Sequence, residues 1–253
     1  MSLEVSQPGV LALLQDNGRI GHHRIGLTTG GPLDRLAFDY CNRLLDNPPG
    51  ATCIEVSFGG LELEAAVDTF ICLTGADMPL TINGVARTAW EVHPLRAGQT
   101  VALGYASRGC RAYLGVADGF QVDVAFGSAA TVVREKLGGL NGDRLQPGDH
   151  LPCGTTAARP LRYLPSQSQP RYHDRITVRV IPGYQEAEFS RLAQRRFFSQ
   201  TYTVTDRCDR MGDRLEGPAI QCELDGILSE GICHGARQIP SDGQPIVLLN
   251  ARQ

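Results

Sequence analysis

The chain has 253 residues, 42% of them hydrophobic, and a formal net charge of −3. That length buries one large core or two modest ones, and the slight acidic balance leaves no cationic surplus for a nucleic-acid face. No apolar run nears the roughly 20 residues of a membrane helix, and the N-terminus lacks the regions of a signal peptide, so the expected compartment is cytoplasmic.

Met1-Ser2-Leu3 reads as a cloning remnant. The first polar cluster follows: Gln15-Asp16-Asn17-Gly18-Arg19, then His22-His23-Arg24, then Thr28-Thr29-Gly30-Gly31-Pro32-Leu33-Asp34. Three glycines before a helix can aim backbone N–H groups at an anion, with Arg19, Arg24 and the histidines adding positive charge. The alternative is a loop in which Asp16 and Asn17 make local turns and the arginines are solvated. On chemistry alone the two stand level. Adjacent histidines on a strand point to opposite faces, which argues against a shared metal ion.

From Pro32 to Asp46 apolar residues fall at 33, 36, 37, 40, 41 and 44, a stripe of helical period with Pro32 suited to the first turn; Asn47-Pro48-Pro49-Gly50 stops it. Strands dominate what comes next. Cys53–Phe58 and Leu61–Ala65 flank Gly59-Gly60, a hairpin signal, and the second alternates apolar residues with glutamates. Thr69–Thr74 is an apolar run ending in Thr74-Gly75-Ala76-Asp77, where Asp77 reads better as a turn residue than as a site residue. Leu80-Thr81-Ile82 meets Val85 across Asn83-Gly84, the strongest hairpin signal in the chain. Gln99–Leu103 and Arg111–Val116 add two more strands. With 29 glycines, 15 prolines and 6% aromatics, the pattern is one of short strands and tight turns, a barrel or a sandwich.

Pro160 to Asp174 is rich in Pro, Ser, Gln and Arg and reads as a linker between an N-terminal domain of residues 1–160 and a C-terminal domain of residues 175–253. A second helix is expected from about Gln185 to Phe198, with Phe189, Leu192, Ala193 and Phe197 on one face. Beyond it, Arg207-Cys208-Asp209-Arg210-Met211-Gly212-Asp213-Arg214-Leu215-Glu216-Gly217 packs charges around a glycine more densely than an ordinary turn. Its arginines suit bidentate recognition of carboxylate or phosphate. The bland alternative is an exposed network neutralised by Asp209, Asp213 and Glu216. A third cluster holds Ser229, His234 and Gln238-Ile239-Pro240, close enough in sequence to line one pocket. Pro245–Leu249 is a buried-strand signal four residues from the end, which suggests a shortened chain.

The eight cysteines include no Cys-x-x-Cys pair, and four of them (Cys41, Cys53, Cys72 and Cys222) sit in apolar or alternating runs, as ordinary reduced thiols. No intrinsic metal is expected. Walker A, dinucleotide-binding, zinc-protease and nucleophile-elbow signatures are absent.

Taken in order, these clusters resemble the biotin-dependent carboxyltransferase-like family, also called allophanate hydrolase subunit 2 or carboxyltransferase subdomain A and B, and most resemble its branch of C-type 5-oxoprolinase subunits. The matching residues are Gln15-Asp16 with Gly18-Arg19, Gly31 to Asp34, Asn42-Arg43-Leu44 with Asn47, Glu55, Thr74-Gly75-Ala76, and Arg111 with Tyr113-Leu114. They continue through Gly127-Ser128, Gly138-Gly139, Gly148-Asp149, Arg210-Met211-Gly212 with Arg214 to Gly217, and Gln238-Ile239-Pro240 with Gly243 to Val247.

The resemblance implies a mainly β fold of cyclophilin-like β-barrel units with a few short helices. It implies a B-type paralogous partner, a metal-hydrolase-like subunit, and ATP-driven opening of 5-oxoproline to glutamate, with the chain inactive alone. Two alternatives accompany it: a carboxyltransferase component of urea or allophanate metabolism, which alone would involve biotin, and a non-enzymatic binder resembling the antagonist of a sporulation-kinase inhibitor. Clusters and resemblance together assign catalytic roles to Arg210, Arg214, Gln238 and Ser229. They assign substrate binding to Arg24, Gly31, Asp34, Asn42, Glu55, Asp77, Met211, Gly212 and Pro240. Thr29 to Asp34 departs from the Ser-Gly-Ala-Met-Asp pattern usual before the helix, and the family continues for several dozen residues past the position of Gln253, so an incomplete final barrel is expected.

Overall fold

The computed structural model describes residues 1–156, 158–224, 226 and 230–252. Among them the protein is mainly β, with fifteen strands in three antiparallel sheets and two α-helices. No helix among the described residues is long and apolar enough to cross a membrane. The chain divides into two compact units, one of Met1–His22 with Thr29–Arg175 and one of His23–Thr28 with Ile176–Gln253.

The first unit opens with β1 (Ser2–Pro8) and β2 (Leu11–Gln15); α1 (Arg35–Leu44) precedes β3 (Cys53–Ser57), β4 (Leu61–Ala65) and β5 (Thr69–Asp77). β6 (Leu80–Ile82), β7 (Val85–Arg87), β8 (Val92–Leu95), β9 (Thr100–Leu103), β10 (Arg108–Val116) and β11 (His150–Pro152) complete it. One sheet runs β11-β1-β4-β9-β6-β7 and the other β2-β3-β10-β5-β8. Ser2 and Leu3, read as a remnant, belong to β1, where Leu3 is fully buried opposite Ala65.

Alternation explains the layering. Ile54 and Val56 of β3, with Leu114 and Val116 of β10 and Ile71 and Leu73 of β5, join Leu3, Leu63 and Val101 of the other sheet in one core. Each such side chain contributes about 1.5–3 kcal/mol by leaving water. The intervening residues of the five-stranded sheet face α1: Cys53, Cys72 and Tyr113 pack with Phe38 and Cys41. β3 is therefore buried at every position, and a polar residue on its helix-facing side has to be satisfied from within.

Three expectations change. Gly59-Gly60 does not close a hairpin, because β3 and β4 lie in different sheets. The pair makes a corner instead, where Phe58 N donates to Cys110 O and Gly60 N to Leu103 O, each at 3.0 Å. A Cβ on Gly59, whose φ is +111°, would sit 2.2 Å from Gly104 O. The buried stripe of α1 is also rotated: Ala37, Phe38, Cys41 and Leu44 are inside while Leu36 is 54% exposed, because Phe38 rather than Leu36 meets the Tyr113 ring edge-on at 5.7 Å. The segment 160–174 is tied into the first unit: Leu164 N donates to Trp90 O at 2.8 Å and Val92 N to Arg162 O at 2.9 Å. Asn83-Gly84 does turn β6 into β7, with both residues at positive φ.

The second unit holds α2 (Arg191–Ser199) and a four-stranded sheet of β12 (Thr203–Cys208), β13 (Gly212–Glu216), β14 (Arg237–Gln238) and β15 (Ile246–Leu248), in the order β12-β13-β15-β14. β15, the apolar segment near the chain end, has neighbours on both sides. α2 begins later than its pattern suggests. Ser190 accepts from Ala193 N at 3.1 Å and caps it, while residues 186–188 form a separate 3-10 turn.

Candidate functional site

In the first unit the polar residues gather where α1 starts over the five-stranded sheet. Leu13, Glu55, Tyr113 and Thr74 lie opposite one another across β2, β3, β10 and β5, one residue per strand on the helix-facing side. Thr74 Oγ1 donates to Ala37 O at 2.8 Å. Glu55 is 1% exposed, and its Oε2 accepts from Leu33 N at 2.9 Å and from the Tyr113 hydroxyl at 2.8 Å. The same hydroxyl accepts from Asp34 N at 2.8 Å. Arg111 Nε stands 4.0 Å from Glu55 Oε1, and its guanidinium lies over the Phe58 ring.

Asp34 is the N-cap of α1. Its Oδ1 accepts from Ala37 N at 3.0 Å, satisfying one of the helix's open donors and placing negative charge at the positive end of the dipole. Its Oδ2 accepts from the Tyr172 hydroxyl at 2.5 Å. Burial and the Asp34 carboxylate push the Tyr172 phenol above its usual range, so it donates at neutral pH. The result is a carboxylate and a capping aspartate fixed by two tyrosines around a turn of backbone.

The glycine-rich loop before Asp34 is held by buried side chains. Gln15 Nε2 donates to Thr131 O, and its Oε1 accepts from Gly31 N, both at 3.0 Å. Asp16 accepts from Gly18 N, the Ser128 hydroxyl and Ala129 N. Arg19 is neither an open anion receptor nor solvated. It is 1% exposed and donates to the carbonyls of Ala130 at 2.7 Å, Ala125 at 3.3 Å and Ser128 at 3.4 Å. Burial works against its charge, and the Asp16 and Glu135 carboxylates support it.

Gly31, Asp34 and Glu55 thus come together. Asn42 does not join them. It lies eight residues along α1, roughly 12 Å away, and its amide donates to Ala51 O and accepts from Asn47, tying down the helix end. Asp77, at the exposed end of β5, accepts from the Ser107 hydroxyl at 2.8 Å in a turn. Arg24 sits in a 3-10 turn of the second unit.

In that second unit, Arg214, Ile246 and Gln238 lie opposite one another on β13, β15 and β14. Arg214 and Gln238 therefore share a sheet face about 10 Å apart, across two strand spacings. Both are exposed, and Arg214 forms no ion pair with Asp209, Asp213 or Glu216 among the described residues. The neutralised-network alternative does not hold for it. Asp209 is spent on the turn, accepting from Met211 N at 2.7 Å and Gly212 N at 3.1 Å.

Arg210 is 9% exposed, and its carbonyl and that of Met211 accept from Ala251 N and Leu249 N. Gly212 is required by contact, since a Cβ there would lie 2.8 Å from Val247 O and from the Ile246 side chain. Gln244 clamps Gly217 through both ends of its amide, at 2.9 and 3.1 Å. Pro240 closes a turn by accepting from Gly243 N. Ser229 lies outside the described residues.

Tyr172 and Gln15 escaped the sequence reading as site residues. Tyr172 falls in an aperiodic segment with no local signal. Gln15 ends a strand, and only the fold shows it bridging Thr131 and Gly31.

The family model for the carboxyltransferase domain, subdomain A and B, matches residues 25–253. The chain is 34% identical over 253 residues to the C-type subunit of Escherichia coli 5-oxoprolinase, covering 99% of this chain and 80% of that protein. It superimposes on the crystal structure of TTHA0988 with a TM-score of 0.86 at 31% identity, covering 99% of this chain and 49% of the other. Urea carboxylase of Kluyveromyces lactis matches with a TM-score of 0.88 at 25% identity, over 99% of this chain and 24% of the enzyme. The chain therefore spans about half and about a quarter of these two solved chains.

Proposed function

The chain belongs to the carboxyltransferase-domain family of subdomains A and B, and from that footing we propose that it is the C-type subunit of an ATP-dependent 5-oxoprolinase. In this reading it works with a B-type paralogous subunit and a metal-hydrolase-like subunit, in the cytoplasm, and is inactive alone. The observation that carries the proposal is the 34% identity to a C-type 5-oxoprolinase subunit, extending over 99% of this chain and 80% of that one.

The chemistry asks for charge stabilisation more than for a nucleophile. An unstrained lactam is a poor electrophile. Transfer of the γ-phosphoryl group of ATP to its oxygen releases ADP and activates the carbon; attack by one water with cleavage of the C–N bond leaves an acyl phosphate, and a second water hydrolyses that to glutamate and phosphate. Negative charge builds on the transferring oxygens and is best met by preorganised cations. Arg214, exposed and without a carboxylate partner among the described residues, is fitted to that task, with Gln238 on the same face as a polar neighbour. Gly31, Asp34 and Glu55 supply an ordered loop in which Glu55 positions backbone rather than reacting, because its carboxylate is buried against Leu33 N and Tyr113.

The test is substitution of this chain for the C-type subunit in reconstituted Escherichia coli 5-oxoprolinase. Glutamate release that needs both ATP and 5-oxoproline and ignores avidin is the expected result. The fit to urea carboxylase motivates a second reading, carboxyl transfer to or from biotin. Urea-dependent turnover abolished by avidin would favour it and sink the first. Tight partner binding with no turnover of either substrate would favour a purely regulatory protein.

A further inference from the structure

The first unit also carries a surface cavity of about 320 Å³ lined by Lys136, Asn141, Asp143, Arg144, Gln146 and Asp149, with Leu140 as its apolar wall. Its volume falls within the range of small-molecule sites.

The loop is shaped to present these groups. Gly142 N donates to Gly138 O at 2.8 Å, folding the segment back until a Cβ on Gly142 would sit 2.2 Å from the Lys136 carbonyl carbon. Lys136 itself is held at φ +52°, a left-handed conformation that an L residue adopts only at a cost. Asp143 Oδ1 accepts from Arg144 N at 2.7 Å and Asp149 Oδ2 from Gln146 N at 2.8 Å, so each carboxylate is fixed by one oxygen and keeps the other unbonded. No hydrogen bond or ion pair among the described residues engages the Lys136 ammonium, the Arg144 guanidinium or the side-chain amides of Asn141 and Gln146. Two cations and two carboxylates thus share one hollow without pairing.

We propose that this cavity binds a free α-amino acid with a polar side chain. Cations alone would select an anion, and carboxylates alone a cation. Both signs, kept apart around one cavity, complement a zwitterion. The planar Arg144 guanidinium and the Lys136 ammonium, both lining the cavity, match the ligand carboxylate. Asp143 and Asp149 receive the ammonium, Leu140 covers the aliphatic stem, and Asn141 and Gln146 meet an amide or carboxylate at the far end. The proposal does not depend on the reaction assigned above, since binding is measured on this chain by itself.

Isothermal titration of the full chain with L-glutamine and L-glutamate tests it, against glutarate, which lacks the ammonium, and n-butylamine, which lacks the carboxylate. Single-site binding of both amino acids is expected, with each half-analogue weaker by about tenfold or more, the loss of one charge-assisted contact. Arg144→Ala should weaken binding by a similar factor at an unchanged melting temperature. Lys136→Gly should also weaken it, while relieving backbone strain and so keeping the fold. Absence of saturable binding, equal binding of glutarate, or unaltered affinity in well-folded Arg144→Ala would overturn the proposal.

Discussion

Removing one oxygen atom from the helix-facing row, by Tyr113→Phe, has a calculable effect. The hydroxyl donates to Glu55 Oε2 and accepts from Asp34 N, both at 2.8 Å, and Tyr113 is fully buried. A hydrogen bond to a charged group contributes about 1.5–3 kcal/mol, and an N–H left without its partner costs about 1–3 kcal/mol. Asp34 is only half-buried, so water can recover part of the second term. The expected loss is then about 3 kcal/mol, or roughly 6–12 °C in melting temperature for a domain of this size. The chain's single tryptophan reports on the right place: Trp90 packs in the same helix-side cluster as Tyr113 and is 5% exposed. Urea unfolding followed by Trp90 fluorescence gives the number, and a cycle with Glu55→Gln separates the carboxylate's share. A loss below about 0.5 kcal/mol, the scale of a neutral surface change, would refute the view that Tyr113 holds Glu55 and the α1 entry together.

Other outcomes follow from the same geometry. Arg214→Ala should leave stability within about 0.5 kcal/mol, because the residue is exposed, yet lower reconstituted turnover by about 100-fold, as removal of a charge-stabilising donor does. Arg210→Ala, at a residue 9% exposed, should also destabilise by about 1–3 kcal/mol, which thermal melts would show. Gly212→Ala forces β13 from β15 and should cost about 1–3 kcal/mol, read from the unfolding midpoint, because its new Cβ meets Val247 O at 2.8 Å. Burial pushes the Cys153 thiol up to about 11 from an ordinary value of 9.0. Between about pH 9 and pH 11 the unfolded chain loses this proton while the folded chain keeps it, so stability falls as pH rises, by up to roughly 2–3 kcal/mol. Cys153→Ala should flatten that part of the curve.

The sequence made the architecture legible where one physical rule acted alone. Asn83-Gly84 needs two positive φ angles, and only one common turn uses them. The Leu61–Ala65 alternation could bury only one face. Gly59-Gly60 misled because paired glycines signal sharp chain reversal, whether into a hairpin or into a corner between sheets, and the choice depends on contacts with Leu103, Gly104 and Cys110. The α1 stripe was rotated for a similar reason: periodicity finds an apolar face, but Tyr113 below it selects Phe38 over Leu36. In the site, Asp34 and Glu55 stand out only through the family resemblance, and the apolar period starts the helix at Pro32, three residues before α1 begins behind its Asp34 cap. Their partners were not legible, since Arg111 and Tyr113 reach Glu55, and Tyr172 reaches Asp34, across 56 to 138 sequence positions. The Arg207–Gly217 cluster shows the opposite limit. Its density was visible in sequence, but only strand register separates Arg214, open on the same sheet face as Gln238, from Arg210, buried at the turn.

The most direct measurement is growth of an Escherichia coli strain lacking its own C-type 5-oxoprolinase subunit, with 5-oxoproline as nitrogen source, when this chain is supplied from a plasmid. Growth is expected with the parent chain and none with an equally abundant Arg214→Ala variant. Failure of the soluble parent chain to restore growth, or equal growth with Arg214→Ala, would contradict the proposed role.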